Sequence, residues 1–294
     1  MSVQLLAWKE FTDSMRSRGL WVATAILTVV TSAAVFLPSV ALNDVDPATL
    51  PQYMLAPVAT FVTITALVTG YLAIAGERDT GSIRMLLGLP YTRRDVVVGK
   101  YLGRAVVVSV AILISYLVTS VVGFAVYGAL PLGPYALLAV LTVVLGIAIV
   151  GIAVAISAAS GNRNRAMSMA VGVFFVFELL WNIIAQGIYF VVTFGDLPGT
   201  TVPAWFVLVK RLSPTNAFKS AANLFLSNNA TRVNVSQGQG ATSGGSNVGP
   251  TLAERIGGEV PFYLDEWFSL IILACWVVLP IIVGYLQFKR ADLG

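Results

Sequence analysis

Few residues in this chain are of the types that carry acid–base or metal chemistry. It contains no histidine and a single cysteine, Cys275. Ser-His-Asp triads, histidine-bound zinc and cysteine frameworks within one chain are therefore excluded. Three pairs of carboxylates stand close in sequence: Glu77 with Asp79, Glu254 with Glu259, and Asp265 with Glu266. Each lies at the edge of an apolar run or in a polar connection, where solvated charges and helix caps are the ordinary explanation rather than general acid–base catalysis. The one Gly-Lys pair, Gly99 and Lys100, is followed by Tyr101, so there is no phosphate loop of the G-x-x-x-x-G-K-[ST] type. One polar series remains. Glu178, Asn182 and Gln186 recur every four residues inside the apolar stretch FFVFELLWNIIAQGIYF, a spacing that shares one helical face. An ionised group at the middle of a bilayer costs at least about 2.5 kcal/mol. The stripe is thus expected to face protein or water, either bonding a second helix or lining a substrate path.

The elements that must position these residues are membrane spans. Hydrophobic residues make up 57% of the 294 and charged residues 11%, with mean hydropathy +0.84, whereas an ordinary soluble domain carries about 25% charge. Apolar runs long enough to cross about 30 Å of hydrocarbon predict six helices, over 20–42, 54–75, 105–127, 135–158, 167–194 and 267–288. The expected fold class is all-α: a polytopic membrane protein with one transmembrane domain over 1–294.

Charge orients the spans. Lys9, Arg16 and Arg18 precede the first, six basic residues fall in 76–104, Arg163 and Arg165 join the fourth and fifth, and Lys289 and Arg290 follow the sixth. The short connections 43–53 and 128–134 hold no Lys or Arg. Both termini should be cytoplasmic, in the plasma membrane, with 195–266 on the other side. The remaining five basic residues, Lys210, Arg211, Lys219, Arg232 and Arg255, lie in that long segment, and long segments translocate largely regardless of charge. Because the cations sit beside apolar runs, the pI near 9.3 points to membrane lipid, not nucleic acid. A cleaved leader ending at PSVA, Pro38–Ala41, is not expected, since the apolar run exceeds the usual core of about 7–15 residues. Within the long segment, NAT at Asn229 and NVS at Asn234 are candidate glycosylation sites. A Gly/Ser/Gln-rich tract over 236–250 reads as a flexible loop. Pro203–Leu226 mixes apolar residues with cations and reads as short helices at the outer interface.

Two amphipathic segments complete the picture. Leu5, Trp8, Phe11 and Met15 repeat at three and four, opposite Lys9, Asp13 and Arg16, which predicts a helix over 1–18 lying in the membrane interface. In the basic loop 76–104, Ile83, Leu86, Leu87 and Pro90 share a face of a short helix, with Gly81 turning the chain and Pro90 ending it. From spacing alone this is a surface anchor.

The run Glu77, Thr80-Gly81, Leu86-Leu87, Pro90, Arg93-Arg94 and Gly99-Lys100 resembles the loop after the second span in permease subunits of the type-2 ABC transporter family, including the branch proposed to serve nitrous-oxide-reductase maturation. The patch LSPTNAF at Leu212–Phe218 and the ending FKRADLG are also similar. The resemblance implies that 1–18 is an elbow helix and that the loop carries a cytoplasmic coupling helix. Glu77, Thr80, Gly81, Ile83, Leu86, Leu87, Pro90, Arg93, Arg94 and Lys100 would then serve coupling to a separate ATPase. It also implies a second permease copy, with span five and Glu178, Asn182 and Gln186 at the seam or path, and export as the direction. This chain would bind no metal or cofactor and would not itself be an enzyme; ATP and Mg would sit on the partner ATPase. Two alternatives stay open: a non-transporting anchor or regulatory subunit, and a membrane-embedded lipid-modifying enzyme.

Overall fold

The computed structural model describes residues 3–42, 45–81, 92–226 and 252–290. Among these, the elements are helical, with no strand. Six helices are long and apolar enough to cross a membrane: Arg18–Ala41, Pro47–Asp79, Arg93–Tyr127, Leu132–Ala159, Arg163–Val192 and Phe268–Arg290. They are spans one to six below. Their count and order match the six apolar runs of the sequence. The third begins earlier than expected, because residues 93–104 form its first three turns. Thr92 and Asp95 cap this start reciprocally, each side chain bonding the other's backbone N–H.

Span four is the axis of the molecule. Of its most apolar window 72% is buried within the chain, against 6% for span five. Spans two, three and six pack around it, and span one covers spans two and three. Lipid tails are as apolar as leucine, so burial in a membrane offers little drive toward helix association and close approach and hydrogen bonds must supply it. Span one and span three accordingly meet along a ladder of hydroxyls: Thr28 with Ser115 at 2.9 Å, and Thr31 and Ser32 with Thr119 at 2.8 and 3.2 Å. Tyr116 bonds Thr142 at 2.8 Å, tying span three to span four.

The second span is broken. Its long helix runs Leu50–Gly70, then the chain turns and a short helix, Ala75–Asp79, follows. The break frees backbone N–H groups inside the protein. The Ser157 hydroxyl of span four accepts from two of them, Ile74 at 2.8 Å and Ala75 at 2.9 Å, which removes the penalty of burying them unpaired.

Residues 204–226 depart from the expected interfacial position. They form two helices, Ala204–Arg211 and Pro214–Leu226, but the second enters the bundle and packs against spans two, four and six. Ala217, Phe218, Ala221 and Ala222 belong to the main apolar core. The bend between the helices is held by Trp276, which donates to the Leu212 carbonyl at 2.8 Å. Trp276 lies about 12 Å along span six from its start at 1.5 Å per residue. One of the cations that argued against insertion finds internal acceptors: the Arg211 guanidinium donates through one terminal nitrogen to the carbonyls of Leu264 and Asp265.

The N-terminal helix, Val3–Met15, packs against the start of span three. Its buried residues are Leu6, Glu10 and Ser14, one per turn, while Leu5 and Trp8 stay exposed. The two backbones approach closely because span three carries glycine at the contact: a Cβ on Gly103 would lie 2.6 Å from the Glu10 Cβ and 2.9 Å from the Ala7 carbonyl. Gly103→Val should therefore unseat this helix and lower stability by about 1–3 kcal/mol. Limited proteolysis in detergent should show earlier cleavage within 3–15; unchanged cleavage and thermal midpoint would contradict this seat.

Candidate functional site

Both described ends of the chain lie on one face of the bundle, together with the residues that flank segment 82–91. On that face Lys100 is 1% exposed. Its ammonium donates to Glu10 at 2.6 Å and to Glu77 at 2.7 Å, and Arg104 pairs with Glu10 at 3.1 Å. Three elements meet here: the N-terminal helix, the short helix that ends span two, and span three. The glycine contact described above brings Glu10 against span three, and Lys100 and Arg104, four apart, present both cations to it. Burial pushes the Glu10 carboxyl up, but Lys100 and Arg104 more than offset it and hold the group below its ordinary value of 4.5.

The expected coupling residues divide into three groups. Glu77 and Lys100 are joined directly. Thr80 and Gly81 close the short helix, with Gly81 in the left-handed region at φ 73° and Thr80 bonding back to the Gly76 carbonyl at 3.1 Å. Arg93 turns toward span six, donating to the carbonyls of Phe288 at 2.8 Å and Lys289 at 3.0 Å, and its guanidinium stands over the Phe288 ring. Arg94 is exposed. Ile83, Leu86, Leu87 and Pro90 lie outside the described residues, as do Asn229 and Asn234.

A second polar site lies midway through span five. Glu178 sits in a π-helical stretch, Phe175–Leu180, and accepts from Thr60 and Thr63 of span two, each at 3.1 Å. Lys219, on the inserted helix Pro214–Leu226, is near enough for its charge to be drawn to Glu178. Thr215 of that helix bonds the Phe177 carbonyl at 3.4 Å. Asn182 is partly buried and Gln186 exposed. The wider π turn explains why the three do not converge on one neighbour: a spacing of four marks one face only in an uninterrupted α-helix. Toward the face with the chain ends, spans two and five enclose an apolar crevice of about 230 Å³ between Ile64, Tyr71, Met167 and Phe174.

Glu10, Thr60, Thr63 and Lys219 belong to these two polar clusters, and charge and hydropathy patterns did not single them out. Glu10 shares the register of Leu6 and Ser14, and Gly99 and Gly103 form a small-xxx-small pair opposite it; that combination was the available signal. Among the described residues no group of three Cys, Asp or Glu is placed to hold a metal ion.

Lys100→Met should leave Glu10 and Glu77 facing each other without their shared cation. The expected loss is about 3 kcal/mol, the low end for breaking a buried pair, since Arg104 still reaches Glu10 and Glu77 is partly exposed. Glu10→Gln should cost less. Because the Glu10 value is depressed on folding, its contribution is full above 4.5 and is lost as pH falls through the lower folded value. Thermal midpoints of the wild type and Glu10→Gln should thus converge on acidification; a constant gap would contradict the ionic reading.

The family model for "ABC-2 family transporter protein" matches residues 4–293. Among characterised proteins, the chain is 24% identical over 294 residues to a probable ABC transporter permease protein, NosY, of Stutzerimonas stutzeri, covering 97% of each. It is 26% identical over 224 residues to the protein of the same description from Pseudomonas aeruginosa, covering 74% of this chain and 80% of that one. With six spans and a match along nearly its whole length, the chain belongs to the ABC-2 transporter family, as a membrane permease component.

Proposed function

We propose that this chain is the membrane half of an ATP-driven exporter. It works as a pair of copies and is driven by a separate ATPase subunit that docks on segment 82–91 and binds ATP and Mg. The observation that carries this reading is the anchoring of both arms of that segment: Glu77 by the buried Lys100, and Arg93 by the last carbonyls of span six. A loop serving only as a basic surface anchor has no need of such fixed arms. A loop that must transmit a push does, because slack at either end would absorb the displacement. On this reading Thr80, Gly81, Ile83, Leu86, Leu87, Pro90 and Arg94 shape or line the docking segment.

The copies are proposed to meet at span five, whose low burial leaves most of its surface for a partner or lipid. Glu178, Asn182 and Gln186 then border the path, with Glu178 held from span two by Thr60 and Thr63. Both termini are assigned to the cytoplasm and 195–266 to the outside, from the distribution of basic residues. The relative placement of the chain ends on one face and of the Pro47 and Leu132 ends of spans two and four on the other supports that assignment.

Replacing Leu86 and Leu87 together by Asp should leave membrane insertion intact. It should abolish stimulation of the co-purified ATPase, since the new charges would be stripped of water in an apolar contact. Normal binding and hydrolysis in that variant would return the loop to a plain anchor. With Cys275 replaced, Ser243→Cys should react with an impermeant thiol reagent from outside intact cells; reaction only after the cytoplasmic side is opened would overturn the topology.

A further inference from the structure

Each arm of segment 82–91 is tied to a span besides the one that sequence connects it to, the trailing arm being continuous with span three. On the leading side, Arg78 reaches across to span four and donates to the carbonyls of Ser160 at 3.0 Å and Ala158 at 3.4 Å. Ser157, one turn earlier on span four, accepts from the backbone of Ile74 and Ala75. The turn over 71–74 meanwhile interrupts hydrogen bonding between the long helix of span two and the arm. On the trailing side, Arg93 donates to the carbonyls of Phe288 and Lys289 at the end of span six and stacks over Phe288. Each arginine therefore closes the C-terminal end of a different span, where unpaired carbonyls and the negative end of the helix dipole favour a cation.

Spans four and six, so gripped, are also partners. They make the most extensive contact of any pair of elements. A Cβ on Gly284 of span six would fall 2.8 Å from the Ala155 Cα of span four and 3.0 Å from its Cβ, so the two helices pack at close backbone distance there. Tyr101 of span three adds a bond to the Val277 carbonyl of span six at 3.4 Å.

We propose that Arg78 and Arg93 are positioning residues that deliver a displacement of segment 82–91 to spans four and six together, alongside its direct continuation into span three and past the broken end of span two. The inference rests on the permease reading above. It differs from it in naming which spans receive the push and through which side chains. Span four, the most buried element, then carries the motion through the middle of the bundle to its Leu132 end, and span two follows passively.

The test uses the assembled permease–ATPase complex with Cys275 replaced and Leu132→Cys spin-labelled in each copy. Electron–electron distances are measured without nucleotide and after trapping with ATP and vanadate, normalised to vanadate trapped per complex. Leu132 lies at the far end of span four and is 72% exposed. The unmodified arms should give a nucleotide-dependent shift. Arg78→Lys and Arg93→Lys should keep it, because an ammonium still donates to terminal carbonyls. Arg78→Met and Arg93→Met, which have no donor, should reduce it, and the double Met variant should lose it. Equal normalised shifts in the Lys and Met variants would overturn the inference and leave the permease reading standing. A complex with intact arms that traps vanadate but shows no shift at Leu132 would overturn the inference, whereas failure of the chain to assemble with any vanadate-trapping ATPase would overturn the permease reading.

Discussion

A cation buried at the edge of a membrane protein has to be neutralised where it stands, and Lys100 imposes that condition on everything around it. With 1% of its side chain exposed, it cannot recover its hydration by turning outward. Two carboxylates from two other elements must therefore be brought to it, and each brings its backbone along. Glu77 fixes the end of span two, and Glu10 fixes the N-terminal helix. Arg104 restores charge balance, so two anions meet two cations. The strength of such a cluster lies less in net attraction than in the penalty for taking any member away, which makes it a device for geometry more than for stability. Gly103 makes it possible at all, since only a missing side chain lets Glu10 come near enough.

The rest of the bundle follows the same rule with weaker groups. Hydroxyls of Thr28, Thr31, Ser32, Ser115 and Thr119 register span one on span three, and Ser157 closes the break after span two. At mid-depth Thr60 and Thr63 play this part for Glu178. Its carboxylate sits in a π turn where span five departs from regular winding. A π turn holds one residue more than an α turn, and such bulges are frequent at functional sites. Here the irregularity coincides with the meeting of span two, span five and the inserted helix.

How much of this could be read from the chain depends on range. The six spans were legible because hydropathy over twenty residues is a local quantity, and the reach of each run set its type. The start of span three was not, because Arg93, Arg94, Lys100 and Arg104 look like loop residues until their partners are known. Pro203–Leu226 misled for the same reason: Lys210, Arg211 and Lys219 argue for an interface in isolation, whereas Arg211 donates to carbonyls more than fifty residues away. The series Glu178, Asn182 and Gln186 was found by spacing, but the π turn that redirects Glu178 leaves no mark in composition. Glu10 was passed over because its value lies in Lys100, ninety positions later.

That separation bears on how the protein is made. The helix Val3–Met15 leaves the ribosome before span three, yet its seat is built from Lys100, Gly103 and Arg104. At about 5–20 residues per second, roughly 5–20 s pass before span three emerges. During that interval Glu10 has no cation waiting for it, and the helix has only the membrane surface to rest on, for which exposed Leu5 and Trp8 are suited. Docking of this helix therefore waits on the synthesis of span three, and this corner is closed only after the two spans before it have been made.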